Sequence, residues 1–189
     1  MTAVPELRRL RADHIPALLA FERENRAWFA ARVPDRGDDY FAHFEERIHA
    51  LLAEQEAGVC HFHVLVGTGG EVLGRVNLVD VEQGVADLGY RIAERAAGQG
   101  LATRAVREVC ALAARAYGLT ALRAAATVDN AASRAVLTRT GFVRTGETLL
   151  DGRAGLTFRR DLGDLRGPAD PHRPEEPGPA PYGPTVPTP

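Results

Sequence analysis

Two hydrophobic periods divide the chain. From Asp13 to Gly58 the apolar residues recur at three- and four-residue steps, as one face of a helix requires. The first such run is HIPALLAFERE, with Asp13 as its expected N-cap and a short strand, PELRRLR, before it. The second is DDYFAHFEERIHALLAEQEAG, which sets Tyr40, Phe44, Ile48, Leu51 and Leu52 on one stripe and stops at Gly58. At residue 61 the period changes: HFHVLVG, EVLGRVNLVDV and QGVADLGYRI read as three successive strands joined by hairpin-like links. A helix from Leu101 to Tyr117 follows, stopped by Gly118, and then the strand LRAAATV. A short helix runs from the cap Asn130 to Thr140, and FVRTGETLL and GLTFRRDL close the pattern as strands. The order predicts a layered α/β domain of α+β type, with a mixed central sheet of six to seven strands flanked by helices.

Composition narrows this picture. With 189 residues and 45% hydrophobic content the chain supports one ordinary core. Residues 1–164 are expected to form that domain. Residues 165–189 hold nine of the twelve prolines and almost no large aliphatic side chain, so they are expected to be a disordered tail. No apolar run reaches the length of a signal peptide or a membrane span, which points to a cytoplasmic protein. Cys60 and Cys110 sit in apolar contexts fifty residues apart and read as buried free thiols. His61 and His63 alternate on one strand, but no third ligand accompanies them, so no metal is expected.

The net charge of −2 offers no basic field for nucleic acid. All 23 basic residues are arginine. A chain without lysine forms no Schiff base and builds no P-loop.

The candidate chemistry lies in RAAGQGLATRAVREV, Arg95 to Val109, where two glycines one residue apart open a helix directly after a strand. The first amides of a helix lack internal partners and carry the positive end of its dipole, so a glycine-lined entry suits a phosphate. A dinucleotide fingerprint would need a third glycine where Thr103 stands. The spacing Arg95, Gly98, Gly100, together with TVDNAASRAVLTRTGF from Thr127 to Phe142, resembles the GNAT acyltransferases, and within them the RimJ and RimL ribosomal-protein N-acetyltransferases. The resemblance spans roughly residues 5 to 161.

The resemblance implies a GNAT fold and acetyl-CoA as co-substrate. Backbone groups near Arg91 and Ile92 would pair with the pantetheine arm. The turn through Arg95, Gly98, Gln99, Gly100, Ala102 and Thr103 would hold the pyrophosphate. Ser133, three residues after Asn130, would be the proton donor to the leaving thiolate, with Asn130 facing the cofactor from the same side. The tyrosine that serves as donor in some relatives falls at Leu137 here. For the general base Asp87 is the favoured candidate, beside Glu94 and a water chain.

The acceptor reads as a primary amine: a protein or peptide N-terminus, such as that of a ribosomal protein, or else a polyamine or aminoglycoside. A non-catalytic acyl-CoA sensor is the further alternative. Glu22, Glu24, Asp35, Asp38 and Asp39 are acids able to attract a cation, but Arg23, Arg26, Arg32 and Arg36 nearly cancel their charge, so a solvated mixed surface is expected, while Trp28 and Tyr90 are candidate pocket walls. Homodimers are common in the family.

Overall fold

A computed structural model describes residues 4–167. The chain runs β1 (Glu6–Arg9), α1 (Ile15–Glu24), α2 (Arg26–Ala30), α3 (Gly37–Ala42), α4 (Phe44–Glu56), β2 (His61–Val66), β3 (Val72–Glu82), β4 (Val85–Ile92), α5 (Leu101–Arg115), β5 (Ala121–Thr127), α6 (Ala131–Arg139), β6 (Val143–Leu150) and β7 (Arg153–Asp161). Seven strands form one sheet in the order β1-β2-β3-β4-β5-β7-β6. Every pairing is antiparallel except β4 with β5. This is the mixed sheet with flanking helices that the hydrophobic pattern predicts. Most of the tail expected from residue 165 on falls at 168–189, outside the described residues.

The helical half departs from expectation in its breaks. Asp13 does not cap α1. It sits inside a short 3-10 turn, Ala12–His14, and pairs with Arg11, while α1 opens at Ile15 with Pro16 in its first turn. The long helix expected over 38–58 is two helices meeting at His43, whose φ of −109° and ψ of 24° leave the helical region. Phe44 and Ile48 stay buried and Tyr40 half-buried, so the apolar stripe survives the break. Tyr40 packs edge-on against both Phe41 and Phe44, at 5.2 and 5.4 Å between ring centres. A bend serves that cluster, and stripe periodicity carries no sign of it. The short helix α2, between the two apolar runs, buries Phe29 against Phe21.

Around the sheet, α5 buries Leu101, Ala105, Val106, Val109, Cys110 and Ala113. Cys60 and Cys110 are free and buried, and burial pushes both thiols up to about 11. No helix among the described residues is long and apolar enough to cross a membrane.

Two buried polar groups tie elements together. Arg75 of β3 and Arg91 of β4 are cross-strand partners, and α1 lowers the carboxylate of Glu22 onto both, at 3.0 and 3.3 Å. Glu22 is only 2% exposed. The Arg75 contact is bent enough that neither Nε nor Glu22 Oε1 forms a hydrogen bond, so Coulomb attraction carries it. Burial pulls Arg75 down to about 10. On β2, His61 stacks on Tyr117 at 3.7 Å and His63 Nε2 lies 2.7 Å from the Tyr117 hydroxyl. Burial pushes His63 down to about 4, so it is neutral in the native state.

Glu22→Gln leaves two buried guanidinium groups without their counter-ion. The expected loss is about 3–5 kcal/mol of unfolding free energy at pH 7, read from urea denaturation. Unfolded histidine binds a proton below about pH 6.5 while native His63 does not, so its contribution favours folding above that pH and is lost as pH falls towards 4. Up to about 3 kcal/mol is involved. His63→Gln should flatten the decline of the urea midpoint between pH 7 and 4.5, and an unchanged slope would assign that decline to other groups.

Candidate functional site

Strand β4 pairs with β5 in parallel over three positions only, Val85↔Ala121, Ala86↔Leu122 and Asp87↔Arg123. Beyond Asp87 the two strands part. β5 continues against β7 to Thr127 and β4 continues against β3 to Ile92, so a wedge opens through the sheet between them. The amide of Ala93 turns back to Leu73 on the β3 side, which by strand alternation leaves the backbone of Ile92 facing the wedge. Its carbonyl accepts a hydrogen bond from Trp28 Nε1 at 3.2 Å. That wall is stiffened further by Arg32, stacked 3.6 Å over the Trp28 ring.

At the open end of β4 the chain passes through a short 3-10 turn, Glu94–Ala96, and enters α5. Gly98 and Gly100 have φ of +74° and +75°, the left-handed region that favours glycine. A Cβ at either would meet no atom within 4 Å, so the space beside the turn is open. No side chain caps α5. Its first amides, from Leu101 on, are left to whatever anion enters that space.

On the other side α6 starts at Asn130, whose Oδ1 accepts the Ser133 amide at 3.1 Å. This fixes the first turn of α6 and with it the Ser133 side chain. Tyr90 reaches from β4 to place its hydroxyl 2.8 Å from Ser133 Oγ and 3.2 Å from the Ser133 carbonyl. Burial raises Tyr90 above the usual phenol range, so it is protonated. With Tyr90 OH donating to Ser133 Oγ, the serine's own proton is left free to be donated elsewhere.

The wedge has two lobes. One, of about 330 Å³, runs from Trp28 and Phe29 along the glycine turn to Arg139. The other, of about 360 Å³, lies between Leu88, Gly89 and the Ala124–Thr127 stretch of β5. Tyr90, Arg91, Asn130 and Ser133 line both, so the hydroxyl pair stands at the neck.

The structure brings together most of the residues picked out in the sequence. Arg91, Ile92, Gly98, Gly100, Ala102, Thr103, Asn130 and Ser133 line the first lobe, as do Trp28 and Tyr90. Gln99 and Arg95 lie on the exposed outside of the turn, where Gln99 Nε2 donates to the Arg95 carbonyl at 3.1 Å. Arg91 points its guanidinium at Glu22, away from the turn. Asp87 is not brought to the wedge. It stands at the last paired position, accepts from Arg123 Nε at 2.7 Å and lines a separate depression with Thr145, Thr157 and Arg159. Glu94 is exposed. Glu22 is buried, Asp35 and Asp38 are both held by Arg26 and Asp39 by Arg47, while Glu24 is exposed and has no ion pair among the described residues, so the surface is a mixed one. Residues the sequence reading missed include Ala132, Ala135, Val136 and Arg139, which line the first lobe from α6. Their spacing of three, four and seven from Ala132 is the one signal that could have found them.

Comparison with known proteins follows this geometry. The family model described as Acetyltransferase (GNAT) domain matches residues 6–143. A search of curated proteins finds no match. Among solved structures, the ribosomal-protein-S5-alanine acetyltransferase of Vibrio fischeri superposes with a TM-score of 0.81 at 20% identity, covering 88% of this chain and 98% of that one. Mycobacterium smegmatis RimJ, solved with CoA-disulfide, gives 0.75 at 24% identity, covering 84% and 82%. A mutant of spermidine N-acetyltransferase SpeG from Vibrio cholerae gives 0.66 at 16%, covering 85% and 96%. At these identities the likeness establishes the fold.

Proposed function

The chain belongs to the acetyltransferase (GNAT) domain family, and from that membership we propose that it transfers an acetyl group from acetyl-CoA to the α-amine of a protein or peptide N-terminus. The observation that carries the reading is the hydroxyl pair of Tyr90 and Ser133 at the neck between two lobes. One lobe ends on a helix-entry glycine turn that suits a diphosphate, and the other is open to an acceptor.

Acetyl-CoA supplies an activated acyl group and a thiol leaving group. Gly98 and Gly100 leave room for a diphosphate to reach the first amides of α5, and Arg139 lines the same lobe. The backbone of Ile92 faces the wedge as a hydrogen-bonding edge. Ser133 Oγ donates a proton at the neck, and Tyr90, itself protonated, holds that hydroxyl in place. The Asn130 cap fixes the turn from which Ser133 projects.

Among the described residues Asp151 is the one carboxylate that lines either lobe, and a protein base is not required. An α-amine has an unperturbed pKa of about 8, and the guanidinium groups around the second lobe lower it further by like-charge repulsion. The neutral amine is then a large fraction at neutral pH, and solvent takes the proton. The N-terminal acceptor is supported by the fold likeness to ribosomal-protein acetyltransferases. The two buried, unpaired thiols support a reducing, cytoplasmic setting.

Thiol release from acetyl-CoA over a panel of N-terminal peptides tests the reading directly. Ser133→Ala should lower kcat about 10- to 100-fold with cofactor affinity little changed. Gly98→Glu places a side chain and a negative charge in the open space of the turn, and should weaken acetyl-CoA binding more than tenfold, roughly. Equal loss of cofactor affinity in both variants would remove Ser133 from the proton-donor role. Failure of the unaltered protein to bind acetyl-CoA would overturn the reading as a whole.

A further inference from the structure

The second lobe is walled by arginine. Arg75 and Arg91 face it from neighbouring strands, Arg32 and Arg36 from the segment around α2 and α3, and Arg153 from β7. Asp151 is the sole acid lining it among the described residues. Two further carboxylates stand behind the wall: Glu22, which both Arg75 and Arg91 share, and Asp129, which Arg153 holds. Five guanidinium groups against three carboxylates leave the lobe positive.

Several of these charges are not spent on the fold. Arg75 is 4% exposed, yet its Nε forms no hydrogen bond. One carboxylate serves two guanidinium groups there, and Arg36 is close enough that its charge also lowers both Arg75 and Arg91, after burial and against the pull of Glu22. Arg36 itself is exposed, lies 4.5 Å over the Tyr40 ring and has no ion pair among the described residues. Beside them the side-chain oxygen of Asn77, buried and unpartnered, is an acceptor for an N–H. Two guanidinium groups on one buried carboxylate, with the unpaired Arg36 beside them, form a net positive cluster that an anion would complete.

We propose that the acceptor is an acidic N-terminal segment: a peptide whose α-amine is followed within its first few residues by Asp or Glu side chains, which the arginine wall receives. The inference rests on the N-terminal acceptor reading and narrows it. Polycationic amines are turned away by the same field, in contrast to the spermidine that the Vibrio cholerae neighbour takes by its name. Guanidinium is suited to the task, since it pairs with carboxylate in a two-pronged geometry and keeps its charge at every working pH.

Trp28 is the single tryptophan and lines the wedge, so its fluorescence reports binding to the full chain loaded with coenzyme A. Three hexapeptides that differ only in carrying Glu-Glu, Gln-Gln or Arg-Arg at positions two and three, and spermidine as a fourth ligand, are titrated. Thiol release from acetyl-CoA is measured in parallel. The Glu-Glu peptide should bind about tenfold tighter than the Gln-Gln peptide, equivalent to about 1.4 kcal/mol, with Arg-Arg and spermidine weaker than both. Arg36→Glu, an exposed change at the start of α3, should collapse the ratio of Glu-Glu to Arg-Arg affinity by about tenfold or more. Equal affinities, tighter Arg-Arg or spermidine binding, a ratio untouched by Arg36→Glu, or no binding by any peptide would each overturn the inference. Selective binding of Glu-Glu without thiol release would uphold the charge preference and overturn transfer to an α-amine. Thiol release without charge discrimination would do the reverse.

Discussion

The parting of β4 and β5 after three paired residues is the constraint from which the rest of the molecule follows. A strand inside a sheet that loses its neighbour leaves backbone donors and acceptors facing a gap, and such groups are costly when buried without partners. Here the gap is lined from both faces of the sheet. Trp28 reaches in from α2 to satisfy Ile92, α6 crosses on the other side, and the open backbone is left as a pairing edge of strand geometry. The glycine turn belongs to the same constraint, since the chain leaving β4 must reverse into α5 at the mouth of the gap.

Charge is arranged around that gap rather than over the surface at large. The Glu22 contact to Arg75 and Arg91 fastens α1 to the two strands beside the second lobe. A buried ion group of this kind adds little net stability over an apolar replacement. Its placement makes better sense as a way to hold two cations at a fixed distance from the neck. On the opposite face the hydroxyl pair is neutral, so the two sides of the wedge differ in electrostatic character as well as shape.

The sequence made legible what is local. Glycines with positive φ, an Asn cap three residues before a serine, and strand alternation are set within a few residues, and the glycine turn, α6 and seven strands stand where those signals place them. What depends on register escaped it. Asp87 lies on the strand that leads to the site, yet its position at the last β5 pairing turns it to Arg123. Glu22 is followed directly by the charged Arg23 and Glu24 and reads as surface, although α1 turns it into the core. The arginine wall is assembled from the α2–α3 link, β3, β4 and β7, and no stretch of sequence contains enough of it to be noticed. The break at His43 serves a packing cluster of three rings and leaves the apolar stripe intact, so periodicity is blind to it.

That the wall is made of guanidinium and not ammonium has a bearing on chemistry beside an acyl donor. A lysine lining the same lobe would be a primary amine held at high local concentration next to the neck, and desolvation would lower its pKa towards the nucleophilic form. Such a side chain would compete with the incoming acceptor and, once acylated, would lose the charge for which it was placed there. Arginine keeps its proton and offers no such nucleophile. With no lysine anywhere in these 189 residues, there is no side-chain amine for an acyl donor to consume.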